Sequence, residues 1–192
     1  MTDTENLKVK TISTRVSIAH TSNNDTKIWS LVILPYVEKT KMWGLLLWII
    51  AWTVSGLIII GSYKVSVNSE QKLFIIIFTF FWLYYEWKMI NVYIWKKWGK
   101  EKVWIKDDTL YIEEDVLNKK RIKKFKTRDI NSVEMVEFDE KSFLDFISNS
   151  FWNKGKARVK VNVLGKDYYF AYQITDSEAR EIVKELKREV VR

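Results

Sequence analysis

The sequence predicts an α+β membrane protein, a transmembrane helical hairpin followed by an antiparallel β domain that closes on a C-terminal helix. Three observations carry this. Two apolar stretches, Trp43–Ile60 and Leu73–Trp95, each approach the roughly 20 residues that a membrane helix needs. After Gly99 the apolar positions alternate with polar ones, the two-residue period of strands. Over Thr175–Val191 apolar residues return at helical spacing. The organisation that follows is an N-terminal cytoplasmic arm over 1–41, a two-helix transmembrane hairpin over 42–98 and a cytoplasmic domain over 99–192.

Composition narrows the functional classes. The 192-residue chain is 47% hydrophobic and carries a formal net charge of +8, which suits a protein held against an anionic leaflet. Such a charge also suits nucleic acid, but a membrane tether already accounts for it, so nucleic acid is not an expected partner. With no cysteine, disulfides, thiol catalysis and cysteine metal sites are excluded. The one histidine, His20, leaves no histidine-rich metal site or histidine-based triad within a single chain. No Gly-rich phosphate loop or nucleophile elbow is present. The expectation is a non-enzymatic protein without cofactor or metal. Met1–Lys27 is polar and lacks the apolar core of a cleavable signal peptide, so the first apolar helix is expected to serve as the insertion signal.

The elements follow in chain order. Met1–Lys27 is rich in Thr, Ser, Asn, Asp and Lys and reads as a loosely ordered arm, or as a strand if it docks. Ile28–Val37 is apolar but too short to span and is broken by Pro35. It reads as an interfacial lead-in to the first helix, or as a docking strand. Trp43–Ile60 carries no charge, and Ala51, Ser55 and Gly56 form a small-residue patch where another helix could approach. The linker 61–72 holds Lys64 and Lys72, whereas Lys39, Lys41, Lys96, Lys97 and Lys100 flank the other ends. The positive-inside rule then places both termini in the cytoplasm, in a multi-pass protein of the cell inner membrane. Glu86 and Lys88 are the ionisable residues inside the apolar runs. Their depth, about 20 Å along the second helix, makes them snorkelling side chains, with contact to a partner or a transport role as alternatives.

Beyond Gly99, Lys102–Lys106 and Thr109–Glu113 flank a turn at Asp107–Asp108, with Val103, Ile105, Leu110 and Ile112 on one face. A further strand pair turns at Asn118–Lys119, Ile130–Glu137 alternates again, and Arg158–Leu164 with Tyr168–Tyr172 makes a hairpin about Gly165–Lys166–Asp167. Thr175 and Glu178 form a capping box for the last helix, whose stripe is Ala179, Ile182, Val183, Leu186 and Val190.

This order of short strands and a closing helix resembles the pleckstrin-homology-like (PH-like) fold. With the hairpin included, residues 42–192 resemble bacterial membrane proteins that carry a PH-like domain after two crossings. The stretches that carry the likeness are Gly99–Lys100–Glu101, the Asp–Asp turn before Thr109–Leu110, the basic strand leading to Arg128–Asp129–Ile130, and Ser177–Val183 followed by Leu186. The resemblance implies an antiparallel β-barrel capped by the C-terminal helix, and a binding role.

Two features are candidate sites. Lys119–Arg128 packs seven basic residues (Lys119, Lys120, Arg121, Lys123, Lys124, Lys126 and Arg128) around Ile122 and Phe125. It reads as a solvated strand with Ile122 facing the core, as a contact for anionic lipid headgroups, or as a contact for an acidic protein. Phe143, Phe146 and Phe151 recur at helical spacing beside Trp152, covering one end of the domain or receiving a partner. The leading expectation is a scaffold or assembly module that holds a protein-binding domain at the membrane, in contact with the bilayer and a protein partner. Alternatives are an anionic-lipid-reading or stress-sensing module, and an accessory subunit of a transport complex.

Overall fold

The computed structural model describes residues 6–23, 26–35, 38–65, 68–137 and 153–190. Among these residues nine strands form two antiparallel sheets, neither closed into a barrel. The first sheet is a six-stranded meander in chain order: β1 Asn6–Ser13, β2 Val16–Asn23, β3 Thr26–Ile33, β4 Lys100–Lys106, β5 Thr109–Val116 and β6 Lys119–Lys126. The second contains β7 Ile130–Met135, β8 Ala157–Val163 and β9 Lys166–Tyr172. The described residues also form three α-helices: α1 Lys39–Gly61, α2 Ser69–Trp98 and α3 Asp176–Val190. Contacts divide it into two compact units, Met1–Tyr36 with Trp98–Arg192, and Val37–Lys97.

The residues before the hairpin are no loose arm. They supply half of the larger sheet, and β3 pairs directly with β4 through Trp29↔Ile105, Leu31↔Val103 and Ile33↔Glu101. What reads locally as an interfacial lead-in at Ile28–Val37 therefore includes a core strand, with Trp29, Leu31 and Ile33 buried. The helical hairpin is an insertion between two neighbouring strands. The sequence boundary between arm and domain is accordingly replaced by one domain built from both flanks.

Tight turns connect β4 to β5, β5 to β6 and β8 to β9. Asp107–Asp108 and Leu117–Asn118 each have positive φ at both residues, as does Leu164–Gly165. Two left-handed residues in succession match the twist of antiparallel strands in a two-residue hairpin. After β6 the chain makes a short turn at Thr127–Asp129, and the Thr127 N–H is donated back to the Asp108 carbonyl at 2.9 Å. That turn ends the first sheet and starts the second, in place of the continuous ladder that a closed barrel requires.

The core lies between the inner face of the larger sheet, the smaller sheet and α3. Val16, Ile18, Leu31, Val103 and Leu110 meet Val159, Val161 and Phe170, and α3 contributes Ala179, Ile182 and Leu186. The capping box forms as read: the Glu178 N–H donates to Thr175 Oγ1 at 3.3 Å, and the Thr175 N–H donates to Glu178 Oε2 at 2.7 Å. The same carboxylate accepts two bonds from Arg15, at 3.2 and 2.7 Å, from the β1–β2 turn. Lys10 on β1 reaches both Glu181 and Glu185 of α3. Strands from the beginning of the chain and the helix at its end are thus clamped by charge. Burial alone would raise the Glu178 carboxyl, but hydrogen bonds from Arg15, Ser13 and Thr175 outweigh it and hold the group down at about 2.

Within the hairpin unit, α1 and α2 are long and apolar enough to cross a membrane. Only 17% and 22% of their most apolar stretches are buried, which is not how a soluble core helix is placed. Gly56 lies against the indole of Trp82: a Cβ there would come within 2.0 Å of the ring, so the position requires glycine. Trp82 Nε1 also donates to the Trp52 carbonyl at 3.1 Å. The small-residue patch on α1 is therefore occupied at Gly56 by the hairpin's own second helix.

Candidate functional site

The site with the densest chemistry is the last strand of the larger sheet. β6 follows β5 after a two-residue turn, and the pairing runs from Thr109↔Lys126 to Val116↔Lys119. This register decides which side chains face the core. Phe125 lies opposite Leu110, on the inner face, and its ring stands 4.4 Å from that of Tyr168. Ile122 lies opposite Glu113, on the outer face, and is 44% exposed. The expectation that Ile122 faces the core is corrected: Phe125 does, because pairing with Leu110 fixes the alternation.

All six basic residues of β6 are exposed, and Arg128 in the following turn is exposed as well. The structure brings the seven predicted cations together along one sheet edge. Lys124 sits 5.6 Å from the ring centre of Tyr111, which stacks on Trp104 at 5.0 Å, and Lys123 is 5.6 Å from the ring of Tyr168. Among the described residues few acids reach this edge. Lys120 approaches the buried Glu113 at 4.0 Å, and Lys102 shares that carboxylate at 3.8 Å. Arg128 approaches its neighbour Asp129 at 3.7 Å. The result is a stripe of positive potential on a strand whose outer edge pairs with no other strand among the described residues.

Glu86 and Lys88 are not brought together, since residues two apart on a helix point to different sides. Glu86 does not snorkel. It is buried within the hairpin unit and accepts a 2.6 Å bond from Thr53 Oγ1 of α1. Lys88 is half-buried. Phe143, Phe146, Phe151 and Trp152 lie outside the described residues.

One group that sequence reasoning missed joins the two sheets. Glu101 of β4 is buried, and its carboxylate accepts from the backbone N–H groups of Ala171 at 2.5 Å and Tyr172 at 3.1 Å. Ala171 has a φ of 64°, in the left-handed region that costs a non-glycine residue roughly 1–2 kcal/mol, and this twist aims the two N–H groups at the acid. Burial pushes the Glu101 carboxyl up to about 7, against the pull of those donors. Lys154 stands over the Tyr172 ring at 4.0 Å and bonds Glu114 at 3.0 Å. Burial, with the charges of Glu114 and Glu101, raises the Tyr172 phenol to about 12. The one local signal was a glutamate in an inward-facing position of an alternating strand. Among the described residues no group of His, Cys, Asp and Glu is placed to hold a metal ion.

Comparison with protein-family models found no match, and comparison with curated proteins found none either.

Proposed function

We propose that this chain is a membrane-anchored, non-enzymatic scaffold or assembly module. On this reading α1 and α2 cross a bacterial inner membrane as a pair, both termini are cytoplasmic, and a PH-like domain presents a protein-binding surface at the membrane face. Connectivity supports a same-side arrangement, since the chain leaves the sheet from β3 into α1 and re-enters it at β4, the hydrogen-bonded neighbour. Lys39, Lys41, Lys96 and Lys97 at those ends of the helices support the cytoplasmic side.

The observation that carries the reading is β6, an eight-residue edge strand with exposed basic side chains on both faces. An open edge offers backbone N–H and C=O groups to an added strand, and the cations select an acidic one. A protein partner with an acidic extended segment fits both features. A second reading, an anionic-lipid-reading module, is favoured by the same exposed cations, each adding about 1 kcal/mol near a charged leaflet.

The test uses the full-length protein in phosphatidylcholine nanodiscs, titrated with a fluorescent peptide of alternating Glu and Val. Expected is saturable, salt-sensitive binding that is lost in the triple variant Lys119→Ser, Arg121→Ser, Lys123→Ser. A peptide of equal charge interrupted by proline should not bind. Capture of phosphatidylserine vesicles without peptide binding would replace the first reading by the second. Binding of neither would overturn both.

A further inference from the structure

A cleft opens between the helices of the hairpin at the end where α1 begins and α2 finishes. It has a volume of about 240 Å³ and is lined by Lys39, Met42, Trp43 and Leu46 of α1 with Tyr93 and Lys97 of α2. The α1 residues recur at spacings of three and four, so they share one face of that helix, and Tyr93 and Lys97 are one turn apart on α2.

Its chemistry is graded along the helix axis. Lys39, in the first turn of α1, and Lys97, in the last turn of α2, bring two basic side chains to its lining. Lys97 Nζ donates to the Tyr93 hydroxyl at 3.3 Å and lies 5.5 Å from the ring centre, so its position is set by the ring. Trp43 and Tyr93 are rings with one apolar side and one polar group, the pair of residue types that favour the level of lipid headgroups. Met42 and Leu46 give the apolar floor, and Leu46 is one turn deeper than Met42. Glu38, next to Lys39 in the chain, is engaged by Lys41 at 2.6 Å.

We propose that this cleft binds one anionic phospholipid, with its phosphate between Lys39 and Lys97. The glycerol region fills the cleft over Met42, and the acyl chains run along the exposed apolar surface of α1 beyond Leu46. Two lysines on neighbouring helices recognise a phosphate, the rings recognise the headgroup level, and the floor recognises hydrocarbon. A free phosphate satisfies only the first of these. Phosphatidylcholine also has a phosphate, but its quaternary ammonium offsets that charge, so two lysines favour a lipid of net negative charge. The site shares no residue with β6 and rests on the membrane-anchored reading.

The experiment is native mass spectrometry of the full-length protein released from detergent with phosphatidylglycerol, phosphatidylcholine or inorganic phosphate. Retention of phosphatidylglycerol over phosphatidylcholine is expected, reduced roughly thirtyfold in affinity in the Lys39→Ser, Lys97→Ser double variant. The Lys64→Ser, Lys72→Ser variant, altered at the other end of the hairpin, should retain the lipid as the parent does. Far-UV circular dichroism verifies that each variant is folded, and Lys39→Arg, Lys97→Arg should restore binding if the double serine variant is not. Equal retention of both lipids, or an unchanged affinity in the folded double variant, would overturn the site. Retention of inorganic phosphate alone would also overturn it, as a free-anion site. Resistance of the parent protein to carbonate extraction separates the two failures: loss of the site in an extraction-resistant protein leaves the anchoring intact.

Discussion

The helices of this protein divide into two kinds, and the contrast between them is informative. In α3 the apolar residues form one stripe, and Ala179, Ile182 and Leu186 are all fully buried against the sheets. In α1 and α2 large apolar side chains point outward on several faces, with Leu47, Leu57, Phe74 and Phe80 all more than half exposed. The apolar surface of α3 is satisfied by the protein. That of the hairpin is left exposed among the described residues, and on the proposed anchoring the bilayer covers it. Charge follows the same division: α3 is clamped to β1 by Lys10 and to the β1–β2 turn by Arg15, while the middle of α1 has no charged residue and that of α2 has Lys88 and one inward acid, Glu86, engaged by Thr53 of α1.

Substitutions can break or sharpen this contrast. The largest effect is expected for Leu186→Asp, which leaves a cavity and an unpaired charge in the core. It should cost about 4 kcal/mol or more and abolish the cooperative unfolding of the sheet domain, followed by circular dichroism in detergent. A folded domain with little change would mean that the stripe of α3 is not core.

An intermediate effect is expected for Arg15→Ala, which removes two charge-assisted bonds and leaves the apolar stripe untouched. The loss should be about 1.5–3 kcal/mol at neutral pH. The pH dependence follows from the lowered Glu178 carboxyl. The folded protein binds fewer protons than the unfolded chain between about 2 and the ordinary 4.5, so this stabilisation is present above 4.5 and is lost as pH falls toward 2. In Arg15→Ala that acid dependence should flatten. Parallel acid profiles for parent and variant would show that the clamp contributes nothing through Glu178.

The smallest effect is expected for Leu47→Ala. Its side chain is 62% exposed, so the unfolding free energy of the sheet domain should change by less than about 0.5 kcal/mol. A shift comparable to that of Arg15→Ala would mean that the sheet domain depends on this face of α1.

Local chemistry made much of this fold legible before any coordinates. Paired turn residues such as Asp107–Asp108, the period of Lys102–Glu113 and the Thr175–Glu178 box are all features of a few consecutive residues, and each appears where the sequence places it. The failures share a different origin. β1, β2 and β3 are rich in Thr, Ser and Lys, and β3 becomes a core strand only through partners such as Ile105 and Val103, which lie beyond the entire hairpin. Ile122 and Phe125 are both apolar residues in a basic strand, and only the register against β5 selects which one turns inward. Depth along a helix, the argument used for Glu86, says nothing about the side it occupies. The role of Glu101 was not legible because the donors it serves, the N–H groups of Ala171 and Tyr172, belong to a strand far along the chain. The basic stripe was visible as composition, and its placement on an open edge was not.

The insertion of the hairpin between β3 and β4 sets an order on biosynthesis. β1, β2 and β3 leave the ribosome first and can pair among themselves, but the partner edge of β3 is not made until both helices have been synthesised. At about 5–20 residues per second that delay lasts several seconds, during which a hydrophobic strand edge stands open in the nascent chain. On the proposed anchoring, delivery of the helices to the bilayer falls within this interval, so the translocation machinery acts before the sheet can close. The waiting edge also invites exchange: two nascent chains on one polysome could trade their first three strands, each completing the other's sheet.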